Sequence, residues 1–293
     1  MDELINKART LVEALPYIKD FHGKTVVVKY GGSVGKNDLS NFARDLILMK
    51  YVGIKPVVVH GGGPQIAENL KKQGIESEFI AGLRVTDEKT MEIAEMVLVG
   101  KVNQEIISAI QEHGGKAVGL SGKEGKTIIA KKADLKRIAK VNGIKVSGKA
   151  DLGMVGEVES INPELISTLE DSGYIPVIAP IGCDSKGNSY NINADHVAGK
   201  IAGALKATKL ILLTNVPGIL DKKNKLISSI TESKAKNLIK NKTISKGMIP
   251  KVTCAFEALH EGVEKVHIID GTIERAVILE LFTDAGIGTE IMV

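Results

Sequence analysis

Apolar residues recur over the first fifteen positions at Leu4, Ile5, Ala8, Leu11, Val12 and Leu15, the spacing of one helix face. Pro16 is expected to kink or end this helix, with Tyr17 and Ile18 continuing past it. The pattern suits a helix packed on its own domain and equally an arm that reaches another subunit. After it the period changes. "TVVVKY", "KPVVVH", "YIPVIAP", "KLILLT" and "KVHIID" are short apolar runs without alternation, the mark of strands buried on both faces. Helical stretches fall near Leu39 to Tyr51, from about Pro64 to Gln73, and from about Asp87 to His113, the last broken or relaxed near Gly100. The strand "AVGLS" follows. Strands alternating with helices predict an α/β fold with a mainly parallel sheet. Residues 126 to 160 differ: they alternate, are rich in Gly and Lys, and are expected to form antiparallel ribbons outside that sheet.

A chain of 293 residues is long enough for one large domain or for two lobes sharing a sheet. Its formal charge of +4 is too mild for a nucleic-acid binder, and with no Trp and 3% aromatics it lacks the stacking residues such proteins use. Pairs such as Lys131-Lys132 and Lys222-Lys223 are expected on solvated faces. Cys183 and Cys254 stand alone with no zinc-type spacing, so no metal site is expected, and a reducing cytoplasm is the simplest compartment. The first residues are charged throughout, unlike a signal peptide, and no apolar run reaches membrane-spanning length.

The candidate chemistry sits where buried strands end. "KYGGS" (29–33) and "HGGGPQ" (60–65) are glycine turns, each expected to open a helix. Two such turns side by side offer free N–H groups and helix dipoles to a phosphoryl chain. The first is not a Walker loop, because Tyr30 and Asn37 occupy two of that motif's fixed positions. Arg84 in "GLRVTD" stands before a helix capped by Thr86 or Asp87; alone it reads as a surface arginine, otherwise as a carboxylate clamp. "YNINAD" places Asn191, Asn193 and Asp195 at alternate positions. Asp195 is either a simple helix cap or part of a polar cleft wall. Lys251 in "GMIPKV" is either solvated or a phosphoryl ligand. His60, His196 and His267 form no triad pattern, and there is no Gly-x-Ser-x-Gly elbow.

Taken together, "KYGGS", "VVVHGGGPQI", "GLRVTD", "YNINAD", "KLILLTNVPGILD" and "GMIPKV" resemble, in order and spacing, the amino-acid kinase superfamily and within it the N-acetyl-L-glutamate kinases. The resemblance implies an open, mainly parallel eight-stranded sheet between helices. It implies an amino-acid lobe over residues 1–205, with the N-terminal helix and oligomer contacts, and an ATP lobe over 206–293. The activity implied is transfer of the γ-phosphoryl of ATP, with Mg²⁺, to the side-chain carboxylate of N-acetyl-L-glutamate. Lys29 and Lys251 would neutralise the phosphoryl oxygens, and Asp195 would hold both lysines. Gly31, Gly32, Gly62 and Gly63 would donate backbone N–H groups, while Arg84, Asn191 and Asn193 would hold the amino acid. Thr214, Asn215, Gly218, Leu220, Ser245, Gly247 and Met248 would border the nucleotide.

The N-terminal helix and the C-terminal "VHIIDGTIERAVILELFTDAGIGTEI" are similar to the arginine-inhibited branch of that family, in which the helix interlaces dimers into a hexamer. This implies L-arginine as an inhibitor, held by Tyr17, Lys206, His267, Glu280 and Gly286. The sequence neither names nor excludes a PII-type signalling partner. Ser33-Val34, Arg275 and Glu290 depart from the residues expected of the family. Two other readings remain open: a kinase for an acyl-aminoadipate, and a non-catalytic amino-acid sensor on the same fold. The pair Lys29 and Lys251 argues against the sensor, which has no need of a phosphoryl clamp.

Overall fold

The computed structural model describes residues 1–31, 36–141, 150–245, 247–284 and 286–293. Gly32, Ser33 and Val34 of the first glycine turn lie outside the described residues.

One eight-stranded sheet organises the chain. Its strands in chain order are β1 (Thr25–Tyr30), β2 (Lys55–His60), β3 (Ala117–Leu120), β4 (Ile175–Ile178), β5 (Lys209–Thr214), β6 (Ser229–Thr231), β7 (Lys265–Asp270) and β8 (Thr289–Met292). Their spatial order is β6-β8-β7-β5-β1-β2-β4-β3, parallel except between β7 and β8. The apolar runs become the inner strands because a strand with helices on both faces must be apolar at every position.

Alternate residues of one strand serve opposite faces. Val26, Val28 and Val58 enter a core with Phe42, Leu46, Ile66, Leu70, Leu98 and Ile106. Val27, Val57 and Val59 enter the other, with Val197, Ala198, Ile201, Val252, Ala255 and Phe256. Lys29 continues the Val27 row, so its side chain emerges on the second face, under the helices Ala194–Ala204 and Met248–His260. Those two helices approach closely at Gly199, where an added Cβ would lie 3.0 Å from Cys254 Sγ.

The long helical stretch from Asp87 is three pieces. Helix Glu88–Glu95 is capped by Asp87, whose carboxylate accepts from Thr90 N–H at 2.8 Å. A π-helical turn, Met96–Val102, spans Gly100, and helix Asn103–Glu112 follows. The 126–160 excursion does contain an antiparallel pair, Ile128–Lys132 with Gly156–Ile161, within a second sheet of four strands. It also holds a helix, Leu135–Val141, which alternation had hidden. Asp134 explains that helix: its Oδ1 accepts from the N–H groups of Lys136 and Arg137. At the N-terminus, helix Asp2–Glu13 breaks and Leu15–Phe21 resumes with Pro16 in its first turn. Leu4, Ile5, Leu11, Val12 and Leu15 are exposed. No helix among the described residues is long and apolar enough to cross a membrane.

The contact at Gly199 sets how near Asp195 comes to Lys251. Gly199→Val should therefore cost about 1–3 kcal/mol in denaturant unfolding by overpacking. It should also lower turnover more than the loss of folded protein explains.

Candidate active site

The centre is a buried carboxylate held by two ammonium groups. Asp195 lies in the first turn of Ala194–Ala204, above the C-terminal end of β1. Its Oδ1 is 2.9 Å from Lys29 Nζ. Lys251, in the first turn of Met248–His260, donates to both oxygens at 2.9 and 2.8 Å. The three side chains are only 9%, 10% and 13% exposed for Lys29, Asp195 and Lys251. Burial pushes the Asp195 carboxyl upward, but the charges of Lys29 and then Lys251 outweigh it and hold the group well below the usual carboxylate range. Burial pulls the Lys251 ammonium down, as does the charge of Lys29, while Asp195 raises it. Neither expectation of a capping Asp195 nor of a solvated Lys251 holds. The cap is Asn193, whose Oδ1 accepts from Asp195 N–H at 2.8 Å and so leaves the aspartate carboxylate to the lysines.

The ends of β1 and β2, which lead into the two glycine turns, are adjacent. Tyr30 pairs with His60 at the ends of β1 and β2, and Gly61 N–H donates to Tyr30 O at 2.9 Å. Gly31 is buried. Gly62 caps helix Gly63–Lys72 and admits no side chain easily, since a Cβ would lie 2.6 Å from Leu98 Cδ2. Nothing crowds Gly63. His60 is fully buried between its own turn and Asn103, and burial lowers its pKa to about 4.

Arg84 is buried, not a surface residue. It stands on the two-residue strand Leu83–Arg84, paired with Phe79–Ile80. Its guanidinium donates to Ser77 Oγ and, at 3.0 Å, to Gly63 O, and it lies 4.7 Å above the Phe79 ring. Asn191 joins the same wall: its amide donates to Thr86 Oγ1 at 3.3 Å, while its N–H donates to Met154 O at 2.9 Å. Gly153 sits between them at φ +67°, where a Cβ would lie 2.2 Å from Thr86 O. Sequence reasoning missed Ser77, Phe79 and Gly153, none of which stands in a recognisable motif, and it offered Thr86 of "GLRVTD" only as a helix cap.

The residues assigned to the nucleotide sit on β5 and beyond. Thr214 ends β5 and is buried, and Asn215 is exposed. Gly218, at φ +145°, passes Thr289, whose Oγ1 accepts from Ile219 N–H at 2.9 Å. Leu220 bridges to Leu226. Ser245 O accepts from Met248 N–H at 3.1 Å across Gly247, the residue before helix Met248–His260.

Of the residues assigned to arginine, three converge. Glu280 is buried with His267 Nε2 at 3.1 Å, and Gly286 lies against it, a Cβ there falling 3.0 Å from Glu280 Oε2. The unforeseen member is Lys209, whose Nζ lies 2.7 Å from Glu280 Oε1. Burial, then the charge of Lys209, lowers the His267 pKa to about 4. Tyr17 reaches the neighbouring segment, donating to Asp284 Oδ1 at 2.5 Å. Lys206 stands apart on an exposed turn with φ +48°.

His60 and His267 are both held neutral, so between pH 6.5 and about 4 the unfolded chain binds protons that the folded chain does not. Their contribution is complete above pH 6.5 and is lost as pH falls toward 4, by up to about 1.4 kcal/mol per pH unit for each ring. Asp45, lifted to about 6 by burial against the opposing pull of Arg275, acts in the opposite direction over the pH range just below 6. The expected outcome is a difference: the stability of His267→Gln should fall less steeply than wild type between pH 6.5 and 4 in urea titrations.

Comparison with known proteins agrees with this geometry. The model of the amino acid kinase family matches residues 24–270. An acetylglutamate kinase of Geotalea uraniireducens (strain Rf4) is 55% identical over 294 residues, covering 100% of both chains. Among solved structures, N-acetylglutamate synthase from Neisseria gonorrhoeae complexed with coenzyme A and N-acetyl-glutamate superposes with a TM-score of 0.84 at 26% identity. The match covers 98% of this chain but 63% of the synthase, so the chain spans less than two thirds of that protein's length. The same synthase complexed with coenzyme A and L-arginine gives 0.82 at 26% identity over 97% and 65% of the two chains. The chain belongs to the amino acid kinase family, and within it to the acetylglutamate kinases.

Proposed function

We propose that the Lys29–Asp195–Lys251 cluster is the phosphoryl-transfer centre through which this chain phosphorylates N-acetyl-L-glutamate with ATP, a step of arginine biosynthesis. The observation that carries the reading is one aspartate gripped by both lysines beside the two glycine turns. A side-chain carboxylate oxygen of the substrate forms a bond to the γ-phosphorus. The bond from that phosphorus to the β–γ bridging oxygen breaks, and ADP leaves with the electron pair. The products are N-acetyl-L-glutamyl 5-phosphate and ADP.

The nucleophile has a pKa near 4.3 in its free form, roughly, and is ionised without help, so no general base is needed. Asp195 cannot serve as one in any case, because its own carboxyl is held far below the working pH. The difficulty is bringing an anion against a polyanion, which calls for placed positive charge and backbone donors. Lys29 and Lys251 supply the charge, and Asp195 fixes their positions. Gly31, Gly32, Gly62 and Gly63 supply N–H groups. Arg84 has two of its five N–H donors engaged by Ser77 and Gly63, leaving others for the substrate's α-carboxylate, with Asn191 and Asn193 on the same side. Mg²⁺ enters on the phosphates of ATP, which Thr214, Asn215, Gly218, Leu220, Ser245, Gly247 and Met248 border. In this reading residues 1–205 form the amino-acid lobe and 206–293 the nucleotide lobe, in a cytoplasmic enzyme.

Regulation by L-arginine is part of the same proposal. Its support is the convergence of His267, Glu280 and Gly286, the Tyr17–Asp284 link from the N-terminal helices to the C-terminal segment, and the arginine complex of the related synthase. The exposed apolar residues of helix Asp2–Glu13 support its docking on another subunit. Arginine would then shift an equilibrium between oligomer states that differ at the cleft.

Lys251→Ala should cut kcat by about 10²-fold or more while raising KM for the amino acid far less, since the donor acts mainly on the transferring group. An unchanged kcat removes Lys251 from the mechanism. ADP release with Mg-ATP should be confined to N-acetyl-L-glutamate when that substrate is compared with L-glutamate, L-aspartate and N-acetyl-L-aminoadipate. L-arginine should suppress it. Deleting residues 1–18 should abolish that suppression and leave a smaller active oligomer; a truncated protein inhibited as before refutes the regulatory part alone.

A further inference from the structure

The turn Gly61–Gly63 has to keep its backbone donors aimed, and Arg84 holds only its far end, at Gly63 O. We propose that Asn103 is a positioning residue for this turn, acting through His60. The proposal rests on the reading that the turn contacts substrate or phosphate.

Hydrogen-bond logic fixes the arrangement. Val177 O, on β4, can only accept, so the Asn103 atom 2.9 Å away is its amide nitrogen. The same nitrogen is 3.1 Å from His60 Nε2. An amide NH₂ only donates, so Nε2 must present its lone pair. The ring proton therefore sits on Nδ1, which lies 3.0 Å from Gly61 O and donates to it. Gly61 N–H in turn donates to Tyr30 O. A connected set of hydrogen bonds thus joins β4 through Asn103 and His60 to the second glycine turn, and from there to the end of β1. His60 and Asn103 are 0% and 1% exposed, so each depends on its buried partners rather than on bulk solvent.

The π-helical turn brings Asn103 there. A wide turn rotates everything after it by roughly 100° relative to a continuous α-helix, because it inserts one residue. Leu98 of that turn meets Gly62, and Asn103, the first residue beyond it, meets His60. Gly119 on β3 makes the space, since a Cβ there would lie 2.0 Å from Asn103 Oδ1. Asn103 interrupts an otherwise apolar stripe of Leu98, Val102, Ile106, Ile107 and Ile110. A residue needed only for packing at that place would be apolar.

The test combines a spectroscopic and a kinetic readout on the full-length protein. With ¹⁵N-labelled histidine, the His60 ring signals, assigned by their loss in His60→Gln, should show a protonated Nδ1 and an unprotonated Nε2 at pH 7. Asn103→Leu keeps nearly the same volume and removes the donor. It should change the His60 tautomer ratio and lower kcat on the order of 10-fold or more, with KM for ATP changing less, as expected for a misplaced donor. Asn103→Asp keeps the shape but accepts, and should move the proton to Nε2 with a similar loss of kcat. A wild-type proton on Nε2 overturns the proposal, as does a folded Asn103→Leu with kcat within two-fold of wild type. If Asn103→Leu does not fold, the wild-type tautomer and Asn103→Asp decide by the same criteria. The ring signals need no turnover, so they stand even if the phosphoryl-transfer reading fails.

Discussion

The rest of the site depends on one buried carboxylate answering two buried cations. Taking Lys29 and Lys251 out of water without Asp195 would leave two like charges unpaired in the interior, a cost that neutralisation of one lysine would relieve. Asp195 answers the two ammonium groups with a single negative charge, so the ion-paired cluster of three has one surplus positive charge. That surplus is aimed at the C-terminal edge of the sheet, where parallel strands leave their crevice. Three separate elements supply the three residues, so the packing of the second core sets the distances. Removing the aspartate should be worse for catalysis than its lack of direct chemistry suggests.

The parallel sheet then divides labour between its faces. The charged cluster stands on the face covered by Ala194–Ala204 and Met248–His260. The helix opening at Gly63 and the π-helical turn pack on the opposite face. The two groups come together where β1 and β2 end side by side, with Gly61 N–H bonded to Tyr30 O. A substrate bound there touches the backbone of one face and the side chains of the other. Such a site tolerates little relative shift of the two layers, which is a reason for two polar residues, His60 and Asn103, to be spent inside the first.

What the sequence made legible follows from how each feature is encoded. The inner strands announce themselves because burial on two faces forces unbroken runs such as "VVV" in β1 and β2. The outermost strand β6 and its neighbour β8 were not foreseen, since strands of three or four residues need no such run. The helix Leu135–Val141 was hidden by its lysines, although Asp134 marks its start. Arg84 looked exposed because its cover, Phe79 from a strand of two residues and Ser77 just before that strand, carries no pattern. Asp195 could not be told from a cap by spacing, because Asn193, two residues earlier, competes for the same role and wins it. Distance in sequence is only part of the reason: Asn193 and Asp134 lie within a few residues of what they decide, and pattern alone does not say which of two neighbouring groups takes the contact.

The arginine reading meets a constraint that the sequence did not expose. Glu280 is not a waiting anion: Lys209 and His267 already face it, and Ile287 N–H donates to its second oxygen at 3.1 Å. Breaking a buried pair by removing one partner costs about 3–5 kcal/mol. A cationic effector therefore cannot simply pull Glu280 away from Lys209; it must offer its own cation to the carboxylate while Lys209 keeps its second contact, the Glu280 carbonyl at 3.3 Å. The Ile287 contact is the weaker point, because it joins the buried carboxylate to the chain segment beside Gly286, a short step from Asp284 and its bond to Tyr17. An effector that takes over the second oxygen would free that segment without unpairing Lys209. Binding at a buried ion pair would then reach the N-terminal helices through backbone rather than through charge.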